Sequence, residues 1–331
     1  MATLSVPAKD KNFITTPEFE LLVAISGKML SEGKTANSLL LGPAGCGKTA
    51  SAEQLAAHLN LPYLHLNCSS IREASMLFGM REVKEGKTYT RPSLFTQTIE
   101  AGGAVIMLDE INRCAPTALN GLLTAMDGSS PYSEDLERHV VVGERIIFVG
   151  ACNIGAAYTG TYRLDKALDD RFARRLEVSY LPEAKEIELL VTATGVGPEA
   201  ARRLVQIAAQ VRSEYNKGTR KFSQDISTRV LLGAARDFAA LESVRTGAGP
   251  KSLQFTVVNR FDSGGESNSE RNALAMLVDG KFGSWDGSEE EKTIVNAAKT
   301  IGEKLPKVKA KPGDTTTSSS RDDDDVIKVV F

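Results

Sequence analysis

The feature that most constrains the fold is the stretch SLLLGPAGCGKTASAEQLA, residues 38–56, where an apolar run leads into a glycine-rich turn and then a helical pattern. Residues 42–49, GPAGCGKT, fit the pattern G-x-x-x-x-G-K-[ST] between a predicted strand and a predicted helix. Glycines lack a Cβ, so backbone N–H groups can turn toward an anion, and the following helix offers its positive N-terminal end to the same anion. The sequence therefore predicts a phosphate-binding loop. We expect nucleotide contacts from Gly42, Pro43, Ala44, Gly45, Cys46, Gly47, Lys48, Thr49 and Ala50.

A second apolar run ends in two adjacent carboxylates. In AVIMLDEIN, residues 104–112, Asp109 closes the run and Glu110 follows it. Lys48 is expected on the β- and γ-phosphates, Thr49 and Asp109 on Mg²⁺, and Glu110 on the water that attacks the γ-phosphate. A small-molecule kinase does not need the second carboxylate, because its phosphate acceptor is not water. The pair therefore predicts an ATPase.

A third apolar run, RIIFVGACN, ends in Asn153. Asparagine commonly ends strands, so the residue alone indicates little. As the next core strand after the carboxylate pair, however, this run is expected to place the Asn153 amide between the other two strand ends. There it would orient the attacking water.

The order of apolar runs and helical patterns predicts an α/β fold. Continuous apolar strands that alternate with helices favour a doubly wound parallel sheet covered on both faces. The apolar runs span residues 37–42, 62–68, 104–110, 145–153 and 174–181. Helical spacing without a strong strand then covers residues 183–194, 198–217 and 226–245.

The remainder of the chain is less regular. LQFTVV, residues 253–258, predicts a short strand, and SERNALAMLVDGKFG predicts a helix that ends near Gly280. We therefore predict three parts. They are a nucleotide-binding core over residues 1–182, a small helical lid domain with an extension over 183–305, and a disordered acidic tail over 306–331.

Composition limits the class of protein. The 331 residues are 42% hydrophobic and 25% charged, as in ordinary soluble proteins, and the formal net charge of −2 gives no overall attraction to nucleic acid. The chain starts without an apolar leader, no run has the length of a membrane span, and the four cysteines form no CxxC pair. We expect a cytoplasmic protein with no membrane span and with reduced thiols. The charge balance disfavours nucleic acid as a partner without excluding it.

The three strand ends, in this order, resemble the AAA+ ATPases: Walker A at 42–49, Walker B at 105–110 and sensor 1 at Asn153. The segment DEINRCAPTALNGLLTAMDG is similar to the MoxR-type branch, which includes CbbQ/NorQ-like proteins and dynein-related AAA domains. The resemblance covers about residues 15–245. It implies a P-loop NTPase sheet with a helical lid, ATP and Mg²⁺ as ligands, and a hexameric ring of identical subunits. It also implies a protein partner, in this branch often one with a von Willebrand factor A domain.

The resemblance extends to two arginine segments. LDKALDDRFARRLEV is similar to the family segment that ends in RF, which implies Arg171 as a finger on the neighbouring subunit's nucleotide. Arg174 and Arg175 are alternatives, and a surface basic cluster at a helix end is the structural alternative. DISTRVLLGAAR is similar to the sensor 2 helix, which implies Arg229 over the γ-phosphate of its own chain. The alternative for Arg229 is an exposed residue in a first helical turn.

Residues 69–103 are longer than one crossover helix needs. The resemblance implies an insertion that faces the pore of the ring, and MREVKEGKTYTRPS within it predicts a hairpin that carries Tyr89. A solvent-exposed loop is the alternative. The final residues, 318–331, are an acidic run with an apolar tip, interpreted as a solvated tail or a segment that recruits partners. The segment in which we expect adenine contacts is TPEFELL, residues 16–22.

Two other functions stay open at this level. The protein could be a nucleotide-dependent scaffold that recruits partners through its tail. Alternatively, it could be a DNA-acting motor or loader, for which the basic stretch RRLVQIAAQVRSEYNKGTRK, residues 202–221, is the only support. That stretch is equally typical of the solvated face of a helix.

Overall fold

The described part of the chain contains both strands and helices up to residue 177, and its elements from residue 183 onward are helical. The structure, a computed structural model, describes residues 4–34, 36–153, 166–218, 221–244, 246–262 and 269–283. The strands are β1 (Ser38–Gly42), β2 (Tyr63–Asn67), β3 (Gly79–Lys84), β4 (Lys87–Pro92), β5 (Ala104–Asp109), β6 (Tyr132–Ser133), β7 (Arg138–His139), β8 (Ile146–Asn153) and β9 (Arg174–Glu177). The helices are α1 (Pro17–Ser31), α2 (Lys48–Leu59), α3 (Ser75–Phe78), α4 (Leu94–Ala101), α5 (Pro116–Met126), α6 (Lys166–Asp170), α7 (Glu183–Thr194), α8 (Pro198–Asn216), α9 (Thr228–Val244), α10 (Ser252–Thr256) and α11 (Glu270–Phe282).

A five-stranded sheet with the order β2-β5-β8-β1-β9 lies at the centre. Every pair in it is parallel, and each of the five predicted apolar runs forms one strand. The register places Gly42 beside Asn153 and Asn67 beside Asp109. The predicted α/β fold is confirmed, and the carboxyl ends of β1, β5 and β8 meet at one edge, where open α/β sheets bind their ligands.

The sheet is buried on both faces because its middle strands are apolar along most of their length and carry polar side chains mainly where they end. In β5, Val105 and Met107 belong to one hydrophobic cluster with residues of α1 and α2. Ile106 and Leu108, which point to the opposite face, belong to a second cluster with residues of α4 and α5. Strands with this composition cannot face water on either side, which fixes helices above and below the sheet.

The helices from residue 183 onward pack around a third cluster of their own. The predicted strand at 253–258 is wrong: the segment forms α10 and a 3₁₀ turn at Val258–Arg260. Leu253, Val257 and Val258 are buried in this third cluster, and their spacing is that of a helical face. Helix α11 continues past Gly280 to Phe282. The division at 182/183 and 305/306 stays a prediction, and the acidic tail lies outside the described residues.

Two hairpins lie in the connections between strands of the central sheet, one between β2 and β5 and one between β5 and β8. The first pairs β3 with β4 in antiparallel register, which confirms the predicted hairpin, and Tyr89 on it is exposed. The second, β6 with β7, was not predicted. Within the described ranges, no helix has the length and apolar character needed to cross a membrane.

Candidate active site

The phosphate-binding loop leads directly into α2. Gly47, the residue before α2, has φ +102°, and Gly45 has φ +68°, in the left-handed region that glycine adopts without steric cost. No side chain among the described residues caps this helix, so its first N–H groups point at the loop without a side-chain acceptor. An uncapped helix start behind a glycine turn is suited to bind an anion.

Lys48 lies inside this loop and is only 6% exposed. Its Nζ donates to the carbonyl oxygens of Gly42 at 2.9 Å and Pro43 at 2.7 Å, and to Asn153 Oδ1 at 2.9 Å. Burial lowers the pKa of Lys48 from its ordinary value, while the neighbouring Cys46 and Asp109 oppose that shift. A buried ammonium whose oxygen partners in the described ranges are neutral favours the arrival of an anion.

Asp109, at the carboxyl end of β5, adjoins Thr49, in the first turn of α2. Thr49 Oγ1 donates to Asp109 Oδ2 at 3.2 Å. The same carboxylate oxygen lies 3.1 Å from Nε2 of His65, and we assign the donated proton to that nitrogen because the carboxylate can only accept. A hydroxyl and a carboxylate together provide the hard oxygen ligands that Mg²⁺ prefers.

Glu110 follows the strand in an uncommon backbone conformation. Its φ is +52°, which few residues with a side chain adopt, and its N–H donates to Asp109 Oδ1 at 2.9 Å. Its carboxylate is held by Arg113, whose Nη1 lies 3.2 Å from Oε1. Arg113 Nε is buried and has no hydrogen-bond partner among the described residues. Such strained positions are found at active sites, where the surrounding structure compensates for their cost.

The cavity at this edge has a volume of about 1090 Å³. Of the sequence-predicted residues, Ala44 to Ala50, Asp109, Glu110, Asn153 and Arg229 line it, and Gly42 and Pro43 contact Lys48 through their carbonyls. Its apolar wall includes Phe13, Phe19 and Leu22, so part of the predicted adenine-contact segment at 16–22 reaches it.

Arg229 reaches the cavity from the helical region. A Cβ placed on Gly45 would lie 2.8 Å from the side chain of Ser227 and 3.2 Å from Cβ of Arg229. Only glycine at position 45 therefore allows the phosphate loop to pack directly against the start of α9. The Arg229 side chain itself is exposed.

The three candidate finger arginines are not among the described residues that line the cavity. Arg171 donates to the carbonyls of Leu123 at 3.2 Å and Ala167 at 2.7 Å, and it pairs with Asp127. Arg175 pairs with Asp169. Nη1 of Arg174 is buried without a hydrogen-bond partner in the described ranges. The chain thus does not bring these side chains to its own nucleotide cavity.

Two side chains at the site were missed from the sequence. His65 belongs to no sequence motif, and it reaches Asp109 because the strand order places β2 beside β5. Tyr180 contacts the phosphate loop at Ala44 and the segment before α9 at Asp225. No local pattern marks Tyr180, because those partners lie 136 and 45 residues away along the chain.

Comparison with known proteins agrees with this geometry. Residues 37–172 match the AAA domain (dynein-related subfamily), and residues 186–246 match the CbbQ/NirQ/NorQ C-terminal family. The chain is 31% identical over 245 residues to "Putative chaperone BssE" of Thauera aromatica, covering 73% of this chain and 83% of that protein. It is 33% identical over 249 residues to a Staphylococcus haemolyticus protein, SH1500, covering 72% and 90%.

Among solved structures, the Thermotoga maritima RuvB Holliday junction branch migration motor is similar with a TM-score of 0.52. The match covers 90% of this chain and 85% of that one at 14% identity. At this identity the likeness concerns the fold alone.

Proposed function

Because the chain belongs to the AAA+ ATPases, in the group that joins a dynein-related AAA domain to a CbbQ-type C-terminal region, we propose that it hydrolyses ATP within a ring of identical subunits and remodels a protein partner. One observation carries the proposal: Lys48 and Thr49 from the first turn of α2, Asp109 and Glu110 from the end of β5, and Asn153 from the end of β8 meet at one cavity. That is the arrangement needed to bind a triphosphate and direct a water at it.

The residues present fit ATP and Mg²⁺. Lys48 and the uncapped start of α2 supply positive charge for the β- and γ-phosphates, and the apolar wall of the cavity has room for the base. Thr49 Oγ1 and a carboxylate oxygen of Asp109, which already contact each other, would hold the metal. Bound there, Mg²⁺ would withdraw negative charge from the phosphate oxygens.

Hydrolysis then depends on Glu110 and Asn153. The Glu110 carboxylate first gives up part of its contact with Arg113 and binds the attacking water instead. It then accepts a proton from that water. The Asn153 amide, fixed by its oxygen on Lys48, directs its N–H₂ group toward the same region. Arg229 approaches the γ-phosphate from the start of α9.

The proposal assigns Arg171 to the neighbouring subunit's site. Its guanidinium lies outside the cavity of its own chain, at the end of α6, where carbonyls and Asp127 hold it. A planar guanidinium delivered by an adjoining copy would offset the charge that develops on the γ-phosphate. This assignment makes hydrolysis dependent on assembly, most simply as a hexameric ring.

Remodelling of a protein is favoured by the relative named as a chaperone. The β3–β4 hairpin presents exposed Val83 and Tyr89, an apolar and an aromatic side chain suited to contact an unfolded segment. A partner with a von Willebrand factor A domain is part of the same proposal.

The DNA-motor alternative is weakened by the structure of α8. Arg203 on the basic stretch pairs with Glu199 and donates to the carbonyl of Lys281, and Arg212 pairs with buried Glu186. These two arginines are therefore committed within the chain, which leaves fewer cations of the stretch for phosphate contacts.

The proposal is tested with a variant that traps its client. Glu110→Gln should bind ATP without turnover and retain the partner in a pull-down with ATP, while Lys48→Ala, which should bind no nucleotide, is the matched control. Proteins retained only by Glu110→Gln, and released when ATP is replaced by ADP, support remodelling. Identical retention by both variants contradicts it. If Glu110→Gln still performs the cellular task in full, the scaffold alternative is the correct one.

A further inference from the structure

Tyr180 joins the phosphate loop to the segment that begins α9, and the roles above do not use it. Its hydroxyl lies 2.7 Å from Asp225 Oδ2 and 3.2 Å from the carbonyl oxygen of Ala44. Ala44 belongs to the phosphate loop, and Asp225 lies four residues before Arg229. We propose that Tyr180 is a positioning residue that holds Arg229 against the loop and thereby favours a bound triphosphate over a diphosphate. This inference rests on the proposed ATPase function.

The ring of Tyr180 is fixed by a buried ion pair. The guanidinium carbon of Arg212 lies 3.9 Å from the ring centroid. The same guanidinium binds Glu186 through two bonds, at 2.8 and 2.9 Å, and Glu186 is 0% exposed. A bidentate pair in a dry environment has a single favourable geometry, so it defines where the tyrosine ring can lie. The hydroxyl is thus presented to its partners from a rigid support.

The same ion pair holds the start of α9. Arg212 Nε donates to the carbonyl of Ile226 at 2.7 Å, and Thr228 Oγ1 donates to Glu186 Oε1 at 2.5 Å. On the opposite side, Ser227 packs so closely on Gly45 that no Cβ fits there. The segment before Arg229 therefore lies between the phosphate loop and the buried pair, and Tyr180 contacts both the segment and the loop.

The hydroxyl can serve only one of the two oxygens at a time, since it carries one proton. The shorter distance and the charge on the acceptor favour Asp225, with the Ala44 carbonyl as the second acceptor. A shift of the loop around a γ-phosphate changes the distance between the Tyr180 hydroxyl and the Ala44 carbonyl oxygen. The strength of the hydrogen bond from the same hydroxyl to Asp225 changes with it. Tyr180 is in this way the contact through which occupancy of the loop reaches Arg229.

Tyr180→Phe tests the proposal, because it keeps the ring on Arg212 and removes only the hydroxyl. The affinities of the full chain for ADP and for the slowly hydrolysed analogue ATPγS are measured by titration with fluorescent derivatives. We expect ATPγS to bind about tenfold more weakly and ADP within about twofold of the wild type. Asp225→Asn, which changes the same hydrogen bond from its other end, should shift the two affinities in the same sense. Tyr215→Phe, a tyrosine on α8 outside the cavity, should change neither.

A double-mutant cycle with Arg229→Ala separates positioning from structure. If Tyr180 acts through Arg229, the hydroxyl deletion has less than about a twofold effect on ATPγS binding once Arg229 is alanine. Full additivity of the two losses, or an equal loss for ADP and ATPγS in Tyr180→Phe, overturns the proposal. A wild-type chain that binds neither nucleotide overturns the proposed function as well. A wild type that binds and hydrolyses ATP, with Tyr180→Phe identical to it, overturns the role of Tyr180 alone.

Discussion

The ammonium group of Lys48 lies 2.9 Å from the side-chain oxygen of Asn153, although 105 residues separate them in the chain. The contact exists because β1 and β8 pair in parallel with Gly42 beside Asn153. A side chain from the phosphate loop and one from a later strand end are thereby joined before any ligand is considered. Hydrolysis and nucleotide binding are expected to depend on this pair in different ways.

Lys48→Ala should weaken the binding of both ADP and ATP by at least about a hundredfold, because it removes the buried cation that we propose contacts the phosphates. Titration with a fluorescent nucleotide measures the loss. Lys28→Ala, which removes an exposed lysine of α1, should leave both affinities unchanged. Binding by Lys48→Ala within threefold of the wild type would contradict the assignment of the loop.

Substitutions at Asn153 should distinguish the effect of charge beside Lys48 on nucleotide affinity from the effect of water orientation on hydrolysis. Asn153→Asp places a carboxylate beside Lys48, which neutralises the cation and repels phosphates, so nucleotide affinity should fall by at least about tenfold. Asn153→Ala should keep affinity within about threefold but lower phosphate release by tenfold or more. Equal affinity in the aspartate and alanine variants would show that the residue does not face the phosphates.

Glu110→Gln should bind ATP like the wild type and release phosphate at less than about one hundredth of its rate, since an amide cannot accept the water's proton. Glu100→Gln, on α4 and outside the cavity, is the matched control and should retain turnover. Turnover by Glu110→Gln above a tenth of the wild-type rate would assign the base to another group.

Arg171→Ala should still assemble. If Arg171 is the finger, the variant should hydrolyse ATP about a thousandfold more slowly than the wild type. Mixing it with Glu110→Gln should restore activity, because some interfaces then combine an intact carboxylate with an intact arginine from the next subunit. Asp127→Ala is the control for a purely local role, since Arg171 pairs with Asp127 in its own chain. If Asp127→Ala lowers activity equally and mixing restores nothing, Arg171 acts on its own subunit's structure.

The thiol of Cys46 offers a probe that does not depend on activity. Burial raises the pKa of Cys46 above its ordinary value, opposed by the nearby Lys48, so the reactive thiolate is scarce at neutral pH and increases as pH rises. Alkylation by iodoacetamide, followed by mass spectrometry, should be slow at pH 7 and faster at pH 9. Because Cys46 lines the cavity, ATP should slow it further. Labelling that ATP does not change would place the nucleotide elsewhere.

Much of the core could be predicted from local pattern. The apolar runs that became β5 and β8 are buried on both faces, and the residues that end them lie at one edge because parallel strands end together. Lys48, Asp109 and Asn153 met as expected for this reason. The order of the strands and their parallel type were sufficient to predict this, because a parallel sheet brings residues that are distant along the chain together at one edge.

The remainder depends on tertiary packing that no short window contains. The run LQFTVV has the β-branched residues of a strand, yet burial of Leu253, Val257 and Val258 in the helical core made it helical. Tyr180 has its partners only in the folded chain, because Ala44 and Asp225 lie 136 and 45 residues away from it. The backbone conformation of Glu110 likewise follows from its surroundings, because glutamate has no intrinsic preference for positive φ.

The most direct test of the central claim, that one chain's cavity needs an adjoining copy to split ATP, is phosphate release per chain measured across a protein dilution series. Light scattering on the same samples gives the assembly state. We predict that the rate per chain falls steeply as assemblies dissociate and that added Glu110→Gln chains, which still carry Arg171, recover part of it. A rate per chain that stays constant into the range where only monomers remain would contradict the account.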